Sequence, residues 1–201
     1  MIIVKDVIQG TDSWQALRLG RPSASNFGKI ITPTGNPSSQ RKKYLDELFD
    51  EKITGTRVEN YKNKHMERGN EREQEAREAY EFIKGVSVEQ VGFIFFDEKK
   101  EFGCSPDGLV GKDRGFETKD TLPHIQRVRL EEGWSALEHK PQIQGSLYVS
   151  DRKFWDRMSF CRGMKPIIET FERDEVFIRK LAVELRMFVD ELNELIEKYS
   201  I

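Results

Sequence analysis

The chain has 201 residues, enough to bury one sizeable core, and no Pro/Gly/Ser-rich linker or internal repeat divides it, so a single domain over 1–201 is expected. Its 33 Lys and Arg against 35 Asp and Glu give a formal charge of −2, which argues against the strongly basic footprint of a nonspecific DNA coat protein. The 37% hydrophobic content, with 13 Phe and 3 Trp, argues against disorder, and two distant cysteines, Cys104 and Cys161, argue against a disulfide scaffold, a structural zinc site or a four-cysteine iron–sulfur cluster.

From the N-terminus, MIIVKDV is charged too soon for a signal peptide, and no apolar run reaches the ~18 residues that a membrane span needs, so a cytoplasmic protein with buried thiols is expected. Thr11 to Leu19 and Ser23 to Ile31 read as short helices separated by Gly20 and Pro22, which puts Arg18 and Ser25 on either side of one bend. A phosphate could sit there against the backbone donors of the second helix; the plainer reading is a helix-end ion pair and an N-cap. Ser39 to Glu51 is amphipathic through Tyr44, Leu45, Leu48 and Phe49, with Gly55 as its stop. Basic residues Arg41, Lys42 and Lys43, then Arg57, Lys62, Lys64, Arg68 and Arg72, lead into a second long helix over Glu67 to Lys84, ended by Gly85. On it Glu73, Ala76 and Tyr80 recur at helical spacing, so Glu73 could face a sheet, with Glu71, Glu75 and Glu78 as competitors.

Val91 to Phe96 reads as a buried strand, and the charged stretch from Glu98 to Glu101 as its turn. The segment GCSPDGLVGKDRGFETKDT, Gly103 to Thr121, follows. Pro106 and Gly108 hold Asp107 in a tight turn at a strand end, and 111–115 reads as a hairpin connection, with Phe116 beginning the return strand. Alternation puts Glu117 and Lys119 on one face and turns Thr118 away, leaving its carbonyl free as a neutral oxygen donor. Two carboxylates and a carbonyl suit a hard cation such as Mg²⁺, and a neighbouring lysine would orient or help deprotonate a water: the chemistry of a nuclease core. The plainer reading is a polar hairpin with a solvated Glu–Lys pair, worth ~0.2–1 kcal/mol.

Pro141 opens a helix running through Ile143, Leu147 and Tyr148, on which Gln142 and Gln144 lie on different faces, so only one can easily point into the site. Lys153 to Cys161 and Pro166 to Arg173 read as a strand pair, followed by an amphipathic helix from Glu175 to Tyr199: an α/β chain with a mixed sheet. His65, His124 and His139 have no helical HxxxH spacing, and Trp14, Trp134 and Trp155 read as core anchors.

The blocks WQALRLGRPSAS, RGNEREQEAREAYE, GCSPDGLV with FETK, and PQIQGSLYV, in this order from residue 14 to residue 149, resemble the YqaJ-like, lambda-exonuclease-type phage recombination nucleases. That resemblance implies a PD-(D/E)xK restriction-endonuclease-like core, a mixed central β-sheet flanked by helices. It implies that Asp107, Glu117, the Thr118 backbone carbonyl and, through water, Glu73 hold the metal, that Lys119 is the catalytic lysine, and that Gln144 completes the site. Arg18, Ser25 and Ser105 would grip a 5′ phosphate, while Lys64 and Met66 align loosely with residues that splay the duplex end. The implied activity is Mg²⁺-dependent 5′-to-3′ digestion of one strand of linear duplex DNA, with two ions and Mn²⁺ able to substitute. It would release mononucleotides and leave 3′ single-stranded tails. The implied partners are a ring-shaped homotrimer and a phage single-strand annealing protein, in the cytoplasm of a bacterial host. The family often continues from its lysine into Cys-Pro, whereas this chain has Asp120-Thr121, another acid beside the lysine. Two alternatives stay open at this point: a metal-dependent endonuclease or repair nuclease on the same core, and a noncatalytic DNA-binding or assembly module whose lysine Asp120 has spoiled.

Overall fold

The computed structural model describes residues 1–57 and 65–200, the side chains of 65–71 excepted. Strand β1 (Ile2–Val4) precedes helix α1 (Asp12–Arg18), which starts where the Thr11 hydroxyl accepts the Trp14 N–H at 3.3 Å. The expected second helix is instead a six-residue 3₁₀ segment, Ala24–Lys29, closed by the Ile30 N–H on the Phe27 carbonyl at 2.9 Å. A piece this short carries little dipole, so any anion at the bend must be held by side chains. Helix α2 (Arg41–Thr54) buries Tyr44, Leu45 and Leu48 and ends at Gly55, whose φ of 66° only glycine adopts freely. Helix α3 spans His65–Lys84 and stops at Gly85, also left-handed at φ 65°.

Two sheets follow. Strands β2 (Phe93–Phe95) and β3 (Gly103–Cys104) extend β1 into a three-stranded antiparallel sheet ordered β1-β2-β3. Strands β4 (Gly108–Val110), β5 (Arg114–Asp120), β6 (Phe154–Phe160) and β7 (Ile167–Glu172) form the second in chain order, with β5 and β6 parallel and the outer pairs antiparallel. This is the expected mixed sheet flanked by helices. The return strand begins at Arg114, earlier than the Phe116 expected, because Arg152 clamps the turn by donating to the carbonyls of Gly111 at 3.0 Å and Arg114 at 2.7 Å. Isolated bridges Ser23↔Gly103 and Glu89↔Leu109 tie the sheets and the 3₁₀ segment together.

The parallel β5–β6 connection crosses over through α4 (Pro123–Glu132) and α5 (Lys140–Ser150). Helix α4 and strands β1 and β3 had not been expected; α4 carries no clear apolar stripe and buries only Gln126. Helix α5 packs on the 3₁₀ segment across Gly145, where a Cβ would stand 2.4 Å from the Phe27 ring. Helix α6 (Glu175–Tyr199) buries Phe177, Ile178, Leu181, Leu185, Phe188, Val189 and Leu192, a 3–4 spacing that closes the main core against α2 and α5. A smaller cluster of Ala76, Tyr80, Phe116 and Met158 fixes α3 over β5 and β6, and thereby places Glu73. Beneath it the buried Asp156 carboxylate accepts from Tyr80 Oη and Thr170 Oγ1, each at 2.6 Å, and pairs with Arg114. Satisfied on every side, this charge stiffens the sheet that carries the site.

Candidate active site

The β4–β5 ladder stops at Gly108↔Phe116, so beyond Phe116 the β4-side edge of β5 has no strand partner. Asp107, just before β4, fills that position by accepting the Thr118 N–H on Oδ2 at 2.6 Å. The N–H and C=O of one strand residue share an edge, so the Thr118 carbonyl opens toward the same carboxylate. Glu117 and Lys119 share a face as alternation requires, and Lys119 Nζ donates to Glu117 Oε1 at 2.8 Å. From the first turn of α5, Gln142 Nε2 donates to the same Glu117 oxygen at 2.6 Å, while its Oε1 accepts from Lys119 at 3.0 Å.

The carboxylates repel one another. Burial, then Glu117 and Glu73, push Asp107 well above the usual carboxylate range. Burial also raises Glu73, against the pull of Arg77 at 3.8 Å and with a further push from Glu117. Burial would lower the Lys119 ammonium, but Glu117 and Asp107 outweigh it and hold it above its ordinary value. Glu117 Oε2 is buried without a hydrogen-bond partner among the described residues. No group of three His, Cys, Asp or Glu side chains is gathered as a ligand set among the described residues, and Lys119 and Gln142 hold the other Glu117 oxygen. The donors nevertheless fit a hard divalent ion: mutually repelling carboxylates, an orphaned buried oxygen and an adjoining carbonyl are the all-oxygen chemistry such an ion takes.

Two expectations change here. Gln144 does not meet the acids: its Nε2 donates to the Glu172 carbonyl at 2.9 Å and its Oε1 accepts the Asp174 N–H at 2.8 Å, pinning α5 to the β7–α6 junction. The glutamine at the site is Gln142, two residues earlier and about 200° around the helix. The signal was its place in the first turn of the crossover helix, nearest the end of β5. Asp120, which had threatened Lys119, points elsewhere and pairs with Arg72 at 2.8 Å. His139, for which the sequence offered no metal-ligand spacing, sits at the α5 N-cap with φ 64°, edge-on to Trp134, and burial, then the Lys119 charge, lower its imidazole to about 4.

A second group of residues lies beside the acids. Arg18 Nη2 donates to Ser23 Oγ and Ser25 Oγ, each at 3.2 Å, and its guanidinium stacks 4.2 Å from the Trp14 ring. Ser105 joins through that indole: its Oγ accepts from Trp14 Nε1 at 3.0 Å and donates to the Gly92 carbonyl at 3.1 Å. Ser105 therefore braces the ring beneath Arg18. Arg18 lines a cavity of about 100 Å³ whose wall holds the cations Arg21, Lys29 and Arg57 and the carboxylates Glu47 and Glu51, with Ser23 beside them. Burial, then Arg57, lower the guanidinium to about 10, with Glu51 and Glu117 pulling the other way. Lys64 and the side chain of Met66 lie outside the described residues.

A family model described as the YqaJ-like viral recombinase domain matches residues 13–153. The crystal structure of LHK-Exo, an alkaline exonuclease from Laribacter hongkongensis, is 30% identical, with a TM-score of 0.83 over 94% of this chain and 95% of that one. Its complex with dAMP matches equally. A phage-related exonuclease from Haemophilus somnus 129PT, 15% identical with a TM-score of 0.68 over 90% of this chain and 96% of that one, shares the fold. No curated protein sequence matches the chain. With its PD-(D/E)xK-type core and a family match from the first helix to the start of β6, the chain belongs to the YqaJ-like viral recombinase family.

Proposed function

We propose that this protein is a Mg²⁺-dependent exodeoxyribonuclease that digests one strand of linear duplex DNA from a 5′-phosphorylated end, releases mononucleotides and leaves a 3′ single strand for recombination. The observation that carries this reading is the meeting of Asp107, Glu117, Lys119 and Gln142 at one edge of β5, with Arg18, hydrogen-bonded to Ser25, lining a cavity of its own. Asp107, Glu117, the Thr118 carbonyl and Glu73 would hold Mg²⁺, or Mn²⁺ in its place. When bound, such an ion lowers the pKa of water and stabilises charge on the phosphoryl oxygens.

The chain's own groups supply the rest. Lys119, held charged, donates to the attacking water and to the oxygens gathering negative charge. Gln142 fixes Lys119 and Glu117 in one geometry through its two amide ends. Arg18 and Ser25 receive the terminal 5′ phosphate, with Ser105 acting through Trp14. Breaking the bond from phosphorus to the leaving O3′ gives the shortened strand a new 5′ phosphate, so each product end presents the group that the cavity takes. A single domain, a homotrimer enclosing the duplex and a phage annealing protein as partner complete the reading. Enclosure would account for processivity in a chain whose formal charge is only −2.

The test compares 5′-phosphate with 5′-hydroxyl linear duplex, in Mg²⁺ or chelator, for the parent and Lys119→Ala, with nicked and closed circles as controls. Release of mononucleotides from the phosphorylated linear duplex by the parent in Mg²⁺ alone is expected. Cleavage of closed circles would replace this reading with an endonuclease, and DNA binding without any cleavage with a noncatalytic module.

A further inference from the structure

On the far side of Arg21 from the Arg18 cavity lies a larger one, of about 210 Å³, enclosed by Gly20 and Arg21, the end of α2, the β2–β3 turn and α6. Four cations line it: Arg21, Lys52, Lys99 and Lys100. The one carboxylate in its wall, Glu101, is already taken by Arg186 at 2.8 Å and Asn193 at 3.1 Å. Lys52 has no acidic partner among the described residues, and its stem lies flat across Gly20, where a Cβ would stand 2.4 Å from Lys52 Cγ. Gly20 has a φ of 60°, so glycine meets both the backbone and the space requirement there.

The other two lysines are held by their turn. Asp97 accepts the Lys99 N–H on Oδ1 at 2.9 Å and the Lys100 N–H on its carbonyl at 3.2 Å. Lys100 takes up a left-handed φ of 54°, and its carbonyl receives Arg21 Nε at 2.9 Å. This links the turn directly to the arginine that lines both cavities. Burial, and then Arg21, lower the Lys52 ammonium. Four cations around a wall with no free carboxylate make a receptor for an anion, and the volume suits one phosphate group better than a whole nucleotide.

We propose that this cavity binds a backbone phosphate of the DNA substrate, at a position separate from the terminal 5′ phosphate and joined to it through Arg21. The proposal rests on the nuclease reading above only in taking DNA as the ligand. Val189 and Leu192, behind the lysines, give the site an apolar wall that keeps the phosphate against the cations. A phosphodiester gripped here holds the duplex while the terminal nucleotide turns over.

The test measures binding of a 5′-hydroxyl duplex of about 30 base pairs, in chelator, as a function of KCl, for the parent, K52A/K100A and the control K42A/K43A, which removes equal charge from the start of α2. Each lost phosphate contact flattens the slope of log K against log salt by about 0.9, so K52A/K100A should flatten it by about one unit and the control by much less. A second arm adds inorganic phosphate at matched ionic strength, which should displace the duplex from the parent more readily than from K52A/K100A. Equal slopes for parent and K52A/K100A, or equal loss in the control, would overturn the assignment. Protection of Lys52 from acylation by inorganic phosphate, with the DNA slope unmoved, would reassign the cavity to free phosphate and also overturn it. Because no cleavage is read, failure here leaves the nuclease reading standing; a parent that binds no duplex in chelator overturns both.

Discussion

Lys119 and Glu117, two residues apart on one strand, form an ion pair at 2.8 Å that Gln142 closes into a triangle. Glu117 is nearly buried, its side chain only 7% exposed, so Lys119→Ala leaves a carboxylate with the Gln142 amide as its one remaining donor. We expect Lys119→Ala to lower cleavage by at least ~100-fold. In chelator it should also cost about 1–3 kcal/mol of stability, read as a lower melting temperature. Mg²⁺ should return most of that loss, since an ion present at 100 times its Kd stabilises by about 2.7 kcal/mol. A variant of parental stability and undiminished rate would remove Lys119 from the site.

Gln142→Ala and Gln144→Ala should separate function from folding. The first loses a bridge between catalytic groups and should slow cleavage by roughly 10- to 100-fold with the melting temperature kept. The second leaves the Glu172 carbonyl and Asp174 N–H without their partner and should cost about 2 kcal/mol, with near-parental rates well below its melting temperature. The reverse pattern would restore Gln144 to the site.

His139 gives the protein an acid-sensitive flank. Its folded value of about 4 lies below the ordinary 6.5, so the native state favours the neutral ring. Stability from this group is fully present above pH 6.5 and is lost as pH falls from there through about 4. His139→Asn, which tolerates the same left-handed backbone, should flatten the decline in melting temperature over that window. Titration of the imidazole near 6.5 in the folded protein, followed by NMR, would contradict the assignment.

Tyr80→Phe withdraws one donor from buried Asp156 and should cost about 1.5–3 kcal/mol in chemical unfolding. Asp156→Ala, which strands Arg114 and two hydroxyls, should cost about 3–5 kcal/mol. Neither residue touches the reacting groups, so cleavage under stabilising conditions should stay near the parental rate.

Much of this arrangement was legible in the chain. Helix α6 matched its expected bounds because its apolar residues keep one stripe for 25 residues, and α2 ended at Gly55 because a left-handed residue was required there. Strand alternation was enough to bring Glu117 and Lys119 to one face. What failed was what depends on neighbours distant in sequence. Helix α4 is held by buried Gln126, whose Nε2 reaches the Lys165 carbonyl at 2.7 Å, a contact that no local periodicity announces. The choice between Gln142 and Gln144 turned on which way α5 rolls over Trp155, a matter of tertiary packing. Asp120 likewise looked threatening only until Arg72, 48 positions away, claimed it.

Because the β4–β5 ladder ends at Gly108↔Phe116, the free edge of β5 beyond it could have recruited a foreign strand, and Asp107 blocks it by capping the Thr118 amide with its carboxyl group. The residue that would bind the metal therefore also guards against edge-to-edge aggregation. Replacing it with alanine to make an inactive enzyme uncovers the rim, so asparagine, which keeps an acceptor in place, is the sounder choice for trapping a DNA complex.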